Sequence, residues 1–111
     1  MGRFPEHRPR RLRRTAALRD LVAETRLDTS DLIAPLFVRE GIDQPEPIGS
    51  LPGVVQHTVD SLLTEVRGLA DLGVRSVMLF GVPAHKDAVG SGASDPDGIV
   101  QVALRELRSA L

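Results

Sequence analysis

Two apolar segments flank an amphipathic segment in the middle of the chain. Residues 32–38 and 76–82 are mostly apolar at consecutive positions, where a half-exposed strand would alternate apolar and polar side chains. Consecutive apolar positions indicate strands buried on both faces, as in a parallel sheet. We therefore predict adjacent parallel strands in an α/β fold, with chemistry at the loops that follow them, residues 39–41 and 81–86.

The segment between these strands has the periodicity of a helix. Residues 59–72 carry apolar side chains at i, i+3 and i+4 spacing. These are Val59, Leu62, Leu63, Val66, Leu69 and Ala70. Thr58 is a candidate N-cap and Gly73 a candidate stop signal. The pattern predicts a right-handed crossover through a helix whose apolar stripe covers one face of both strands.

A further helix is predicted after the second strand. Asp95, Pro96 and Asp97 have the character of an N-cap, a first helical residue and an acidic first turn. The expected apolar stripe consists of Ile99, Val100, Ala103, Leu104, Leu107 and Leu111. No third strand follows, so the sequence predicts an incomplete fold. We expect the helices to cover only one face of the strands, which leaves the other face in water.

Two features interrupt this plan. Residues 41–57 contain three prolines and three glycines, which predicts a looped excursion with a small hairpin. Pro35 lies inside the first strand but has no N–H for the ladder, so we expect it at a bulge or an open edge.

The chain begins with a basic segment. Residues 1–14 hold six arginines against one glutamate, a charge of +5, whereas residues 15–111 carry −6. With few apolar side chains, the basic segment cannot bury enough surface to fold alone, and we predict an exposed arm. Thr15 is expected to cap a short docking helix after the arm. The predicted division is therefore an arm with its docking helix, residues 1–30, and two βα units, residues 31–111.

The charge of the arm suggests a partner. In an oligomer, the +5 arm complements the −6 surface of a neighbouring subunit. Nucleic acid is the less favoured partner, because Phe4 is the only aromatic residue of the arm and offers no stacking platform.

The amino-acid composition excludes several classes of protein and of site. The chain has no cysteine, which rules out disulfides, thiolate nucleophiles and cysteine-bound metal within it. No run of apolar residues is long enough to cross a membrane, and the basic start lacks the apolar core of a secretory signal. These features predict one small cytoplasmic domain with no membrane partner.

The loop after the second strand holds the candidate reactive side chains. His85, Lys86 and Asp87 lie there, and Lys86 is the only lysine of the chain. A reactive lysine needs desolvation or a neighbouring cation, so a solvated loop is the favoured interpretation. Residues 90–92, Gly-Ser-Gly, lack the remaining positions of a phosphate-binding motif and are interpreted as a flexible loop.

Other polar residues give no specific site. Arg39 and Glu40 either orient a substrate or pair with each other at the strand end, and the structural role is favoured. The histidines at 7, 57 and 85 are too scattered to indicate a metal site. We therefore assign no catalytic, cofactor-binding or metal-binding residue.

Five stretches resemble, in order, the amino-terminal third of the porphobilinogen synthase family, also called δ-aminolevulinic acid dehydratase. They are residues 8–14 (RPRRLRR), 31–38 (DLIAPLFV), 48–54 (IGSLPGV), 79–82 (LFGV) and 95–98 (DPDG). The most specific are the SLPGV turn and the LFGV strand end. One departure is at Ala93 and Ser94, where many members have a larger side chain such as tyrosine.

This resemblance implies a TIM (β/α)8 barrel, of which the chain would supply an amino-terminal arm and the first two βα units. It further implies a lyase that condenses two 5-aminolevulinate molecules to porphobilinogen for tetrapyrrole synthesis. The family forms a homo-octamer in which the arm embraces a neighbouring subunit. Its members use two strand lysines, one as a Schiff base, and zinc or magnesium, but none of these residues matches a position here. We therefore expect the chain alone to be inactive.

Two alternatives remain open. The chain is either a piece of such an enzyme or a small independent α/β binding module that uses the basic arm; closure of a core by 111 residues would favour the module. A nucleic-acid-binding protein would show strongly salt-dependent binding.

Overall fold

Parallel pairing of two long strands organises the fold. The computed structural model describes residues 2–111. Strands β1 (Ile33–Arg39) and β4 (Ser76–Val82) pair in parallel along their whole length, from Ile33 opposite Ser76 to Arg39 opposite Val82. The predicted pairing is confirmed. The hand of the crossover stays a prediction.

A hairpin extends the sheet on the other side of β1. Strands β2 (Glu46–Pro47) and β3 (Val55–His57) are antiparallel, which confirms the predicted hairpin in the excursion. The sequence did not predict that β3 also pairs in parallel with Phe37 and Val38, giving the sheet order β2-β3-β1-β4. Because this pairing begins only at Phe37, the flank of β1 beside Pro35 is an open edge, as expected for proline.

Local signals set two of the three helices. Helix α1 (Ala16–Leu21) begins where Thr15 Oγ1 accepts a hydrogen bond from the Leu18 N–H at 3.2 Å. Helix α2 (Val59–Asp71) is capped in the same way by Thr58 and is followed by Gly73, whose φ of 93° is left-handed. Both predicted caps are confirmed, and α2 ends one residue earlier than predicted.

The predicted start of the last helix is wrong. Helix α3 (Ile99–Ala110) has Gly98 as its N-cap, three residues beyond the predicted Asp95. Asp95 instead closes a turn, in which its carboxylate accepts from the Asp97 N–H at 2.9 Å and its carbonyl from the Gly98 N–H at 3.0 Å. The side chain that was expected to cap the helix therefore stabilises the preceding turn.

The core lies on one face of the sheet. Its buried members are Val38, Leu62, Val66, Ala103 and Leu107. Helix α2 packs on β1 and β3, whereas α3 packs on β1 and β4, so the two helices share one face of the sheet, and β4 is covered mainly by α3 where the α2 stripe was expected to cover both strands. Two members of the predicted α3 stripe, Leu104 and Leu111, are exposed, because the helix turns only a narrow side towards the sheet.

The opposite face of the sheet is uncovered and apolar. Ile33, Met78 and Phe80 are 58%, 51% and 45% exposed, and the rings of Phe37 and Phe80 pack there with centroids 5.4 Å apart. The alternation of side chains places these residues opposite the core. The expectation that the helices leave one face of the strands in water is confirmed.

The amino-terminal segment extends away from the sheet. Residues 2–17 are all exposed, and a short 3₁₀ turn at Arg11–Arg13 packs against α1. The radius of gyration is 21.5 Å, against about 13 Å for a compact chain of this size. Residue 1 lies outside the described residues. The division at residues 30 and 31, and the contact of the arm with another subunit, stay predictions.

Candidate functional site

The loops that follow β1 and β4 meet at the carboxyl edge of the sheet. The Glu40 N–H donates to the Val82 carbonyl at 2.9 Å, which continues the pairing one residue past the end of β1. Beyond this point, the β4–α3 loop (residues 83–98) and the start of α3 line an open pocket of about 600 Å³. Its lining includes Glu40, Lys86, Asp87 and Gln101.

Glu40 joins the two loops through its side chain. Its Oε2 accepts a hydrogen bond from the Ala84 N–H at 3.0 Å, across 44 positions of sequence. A pair between Arg39 and Glu40 was one expectation from the sequence, but the ion pair of Arg39 is instead with Glu46. Neighbouring strand residues point to opposite faces, which separates the two side chains.

Arg39 belongs to a polar cluster on the uncovered face. Its guanidinium donates to Glu46 Oε2 at 2.8 Å and to Gln56 Oε1 at 3.0 Å, which ties β1 to the hairpin of β2 and β3. Both members of the ion pair are close to half exposed, so the pair contributes at most about 1 kcal/mol. The main effect of the pair is to fix the position of the positively charged Arg39 guanidinium at the carboxyl end of β1.

Asp87 organises the β4–α3 loop from within. Its Oδ1 accepts hydrogen bonds from the N–H groups of Val89 and Ser91 at 3.2 and 3.0 Å, and its Oδ2 accepts from the Ser91 hydroxyl. Donation by the Ser91 side chain, followed by that of its backbone, lowers the pKa of Asp87 below its ordinary value of 3.8. From the sequence, Asp87 was interpreted as an ordinary loop residue, although aspartate side chains in turns often accept a hydrogen bond from the N–H two residues further on, as Asp87 does from Val89.

The glycine-containing segment after Asp87 is not a free anion cradle. Gly90 is left-handed, with φ of 62°, and a 3₁₀ turn follows at Ser91–Ala93. The Ser91 N–H already faces the Asp87 carboxylate, so the chain supplies its own anion at this position. His85 and Lys86 are exposed in the loop, which agrees with the favoured interpretation of a solvated segment.

The far end of the loop is fixed to α3. Gln101 Nε2 donates to the Ala93 carbonyl at 2.6 Å, and Arg105 donates to the Pro96 carbonyl at 2.5 Å. A Cβ at Gly98 would lie 2.6 Å from the Gly92 carbonyl oxygen, so only glycine permits this approach. The loop is thus held by hydrogen bonds at its start, in its middle and at its end.

His57 has a structural environment. It is 9% exposed, and its Nδ1 lies 2.9 Å from Ser61 Oγ in the first turn of α2. Burial lowers the pKa of His57 below 6.5, against a smaller raising effect of Glu65. This histidine is therefore neutral near pH 7 and links β3 to α2.

The residues present do not fit a metal site. Across residues 2–111, no three His, Cys, Asp or Glu side chains are grouped so that they could hold a metal ion, and the sequence contains no cysteine for thiolate-bound zinc. In the same described range, no helix is both long enough and apolar enough to cross a membrane.

Fold and site together define a class of protein. Parallel strands with helices following them, and polar loops meeting beyond the carboxyl ends of the strands, are the repeating unit of (β/α)-barrel enzymes. The chain is a portion of such a barrel.

Comparisons with known proteins agree with this class. The family model for delta-aminolevulinic acid dehydratase matches residues 6–111. The delta-aminolevulinic acid dehydratases of Streptomyces coelicolor and Mycobacterium tuberculosis are each 54% identical, over 97% and 100% of this chain and 33% and 34% of their own length. The chain thus spans about a third of the length of these curated relatives.

A solved structure shows the same fold. The delta-aminolevulinic acid dehydratase of Toxoplasma gondii, in complex with its reaction product porphobilinogen, matches with a TM-score of 0.89 and 34% identity, over 95% of this chain and 30% of that one. The chain belongs to the delta-aminolevulinic acid dehydratase family, as the resemblance in its sequence predicted.

Proposed function

We propose that a protein carrying this chain is a porphobilinogen synthase, a lyase that condenses two molecules of 5-aminolevulinate to porphobilinogen in tetrapyrrole and heme synthesis. One observation carries the proposal: 95% of the chain matches, with a TM-score of 0.89, an enzyme whose structure contains porphobilinogen. The identity of 54% to two bacterial dehydratases supports the same activity.

The contribution of this chain to the reaction is scaffolding at the carboxyl edge of the barrel. Glu40 and Asp87 fix the β4–α3 loop, and Arg39 places a cation at the end of β1. Lys86 is exposed in a loop beside the anionic Asp87, whereas Schiff-base lysines are desolvated or lie next to another cation. We therefore expect the carbonyl chemistry to use lysines outside these 111 residues.

The zinc or magnesium that the family resemblance implies is also a proposal for the whole enzyme. No group of side chains within residues 2–111 suits such an ion. A metal would therefore act through residues beyond this chain.

A chimera tests the proposed activity. This chain replaces the segment that it matches in the Streptomyces coelicolor relative, and porphobilinogen formation from 5-aminolevulinate is measured. We expect turnover within about tenfold of the parent enzyme, because 54% of the exchanged positions are identical. A folded, assembled chimera that forms no porphobilinogen would contradict the proposed function.

The isolated chain tests where the reactive lysine lies. Borohydride reduction in the presence of 5-aminolevulinate should leave the 111-residue chain without a covalent adduct. The active chimera serves as the positive control, because its Schiff base is trapped under the same conditions. An adduct on Lys86 would assign the chemistry to this loop.

We also propose that the amino-terminal arm binds a neighbouring subunit of a homo-octamer. Support comes from its exposure along residues 2–17 and from its charge of +5 beside a body of −6. Deletion of residues 2–14 from the chimera should reduce its mass in light scattering more than it lowers its melting temperature. Unchanged assembly would contradict this role. We also propose a cytoplasmic location for the whole protein, and cell fractionation tests it.

A further inference from the structure

Glu40 takes the place of a backbone acceptor at the end of β1. The chain turns away directly after it, at Gly41, which has a left-handed φ of 79°. In the segment that follows β4, Pro83 has no N–H. The first N–H of the loop is therefore that of Ala84. It donates a hydrogen bond to Glu40 Oε2 at 3.0 Å.

Two bonds from one residue thus hold the start of the loop. The Glu40 backbone binds the Val82 carbonyl at 2.9 Å, and its side chain binds the Ala84 N–H, one on each side of Pro83. Because the ring of Pro83 fixes its φ angle, the direction in which the loop leaves β4 depends on these two bonds.

Hydrogen bonds within the rest of the loop make its position depend on the direction in which it leaves β4. Asp87 holds its middle through Ser91 and Val89, and Gln101 holds its end at Ala93. A loop with such internal bonds moves more as a unit than as a free chain. A change at Ala84 therefore alters the position of the residues around Lys86 relative to β1.

We propose that Glu40 is a positioning residue for the condensation reaction, which it serves by fixing the β4–α3 loop at the carboxyl edge of the barrel. The inference rests on the proposed function, since barrel enzymes carry out their chemistry at this edge. Glu40 acts through the loop, and its required property is an oxygen acceptor at the correct distance.

This requirement separates positioning from acid–base chemistry. Glu40→Gln retains a carbonyl oxygen at the same reach and loses the titratable group. Glu40→Asp retains the charge but shortens the side chain by one methylene, and Glu40→Ala removes the acceptor. Asp43→Ala is the matched control, because Asp43 is exposed, lies three residues further along and makes no side-chain hydrogen bond among residues 2–111.

The experiment compares these variants in the chimera. For Glu40→Ala we expect kcat to fall about tenfold or more, with a smaller change in KM, because displacement of an active-site element by about 1 Å lowers rates by up to 100-fold. The kcat of Glu40→Asp should lie between those of Glu40→Ala and Glu40→Gln. Glu40→Gln and Asp43→Ala should stay within about twofold of the unmodified chimera. Rates are normalised to the assembled fraction.

A second measurement follows the loop directly. Lys86 is the only lysine of this chain, so a lysine-specific protease has one cleavage site here, within the loop that Glu40 fixes. Cleavage after Lys86, identified by fragment mass, should be at least about fivefold faster in Glu40→Ala than in Glu40→Gln. This comparison remains valid in any folded chimera, whether or not it is active.

The outcomes are distinct. An unmodified chimera that folds but lacks activity contradicts the proposed function. The cleavage rates still test whether the hydrogen bond between Glu40 and Ala84 fixes the loop. Unchanged kcat or unchanged cleavage in Glu40→Ala overturns the positioning role. Equal loss of kcat in Glu40→Gln and Glu40→Ala also overturns it, because the carboxylate itself would then be required. If Glu40→Ala does not assemble, the contrast between Glu40→Asp and Glu40→Gln gives the same decision.

Discussion

The close approach of β4 and α3 makes Gly81 a sensitive position. A Cβ at Gly81 would lie 2.5 Å from Val100 Cγ2 and 3.0 Å from Ile99 Cγ2, whereas nonbonded carbons ordinarily approach to about 3.5–4.0 Å. Val100 and Ile99 are β-branched and stiff at χ1, so relief requires movement of α3 itself. We expect Gly81→Ala to destabilise the protein by about 1–3 kcal/mol, the usual cost of overpacking.

Gly68 provides a control of opposite sign. It lies in α2, and a Cβ there would meet no atom within 4 Å. Alanine is favoured over glycine in a helix interior, so Gly68→Ala should stabilise by about 0.5–1 kcal/mol. The two substitutions add the same methyl group, and their expected effects differ by about 1.5–4 kcal/mol.

Thermal and urea unfolding of the chimera, followed by circular dichroism, measures both variants. A lower midpoint for Gly81→Ala together with a higher one for Gly68→Ala supports the packing of α3 against β4. A neutral or stabilising Gly81→Ala, with Gly68→Ala behaving as expected, would show that the two elements do not approach as described.

Three further predictions test other contacts. Burial lowers the pKa of His57 below 6.5, so the neutral histidine is fully compatible with the fold above that pH, and stability is lost as the pH falls below it. His57→Gln should therefore flatten the decline of the unfolding free energy below about pH 6.5, and an unchanged profile would contradict it. Ser91→Ala should raise the pKa of Asp87 towards 3.8 in an NMR titration, since the main donor is lost, whereas an unmoved titration would rule out that bond. In the isolated chain, threonine at Met78 and Phe80 should reduce binding of a hydrophobic dye, because both side chains are about half exposed; equal binding would place the dye elsewhere.

Much of the fold follows from signals within a few residues. The periodicity of residues 59–72 and the caps at Thr15 and Thr58 predicted α1 and α2, because a cap and its N–H donor lie three residues apart. The consecutive apolar positions predicted the pairing of β1 with β4. The motifs at residues 48–54 and 79–82 were specific enough to indicate the family.

The tertiary structure decided the contacts between distant residues. The acceptor for Ala84 lies 44 positions away, and a partner of Arg39 lies 17 positions away, so no local pattern contains either pair. The start of α3 was mispredicted because contacts with Gly92 and Ala93 fix it at Gly98. Sequence alone determined which residues form β1, β4, α1 and α2, since short-range periodicity and capping depend on neighbouring residues. The contacts of Glu40 with Val82 and Ala84 form only when β1 and β4 lie side by side, so they depend on the tertiary structure.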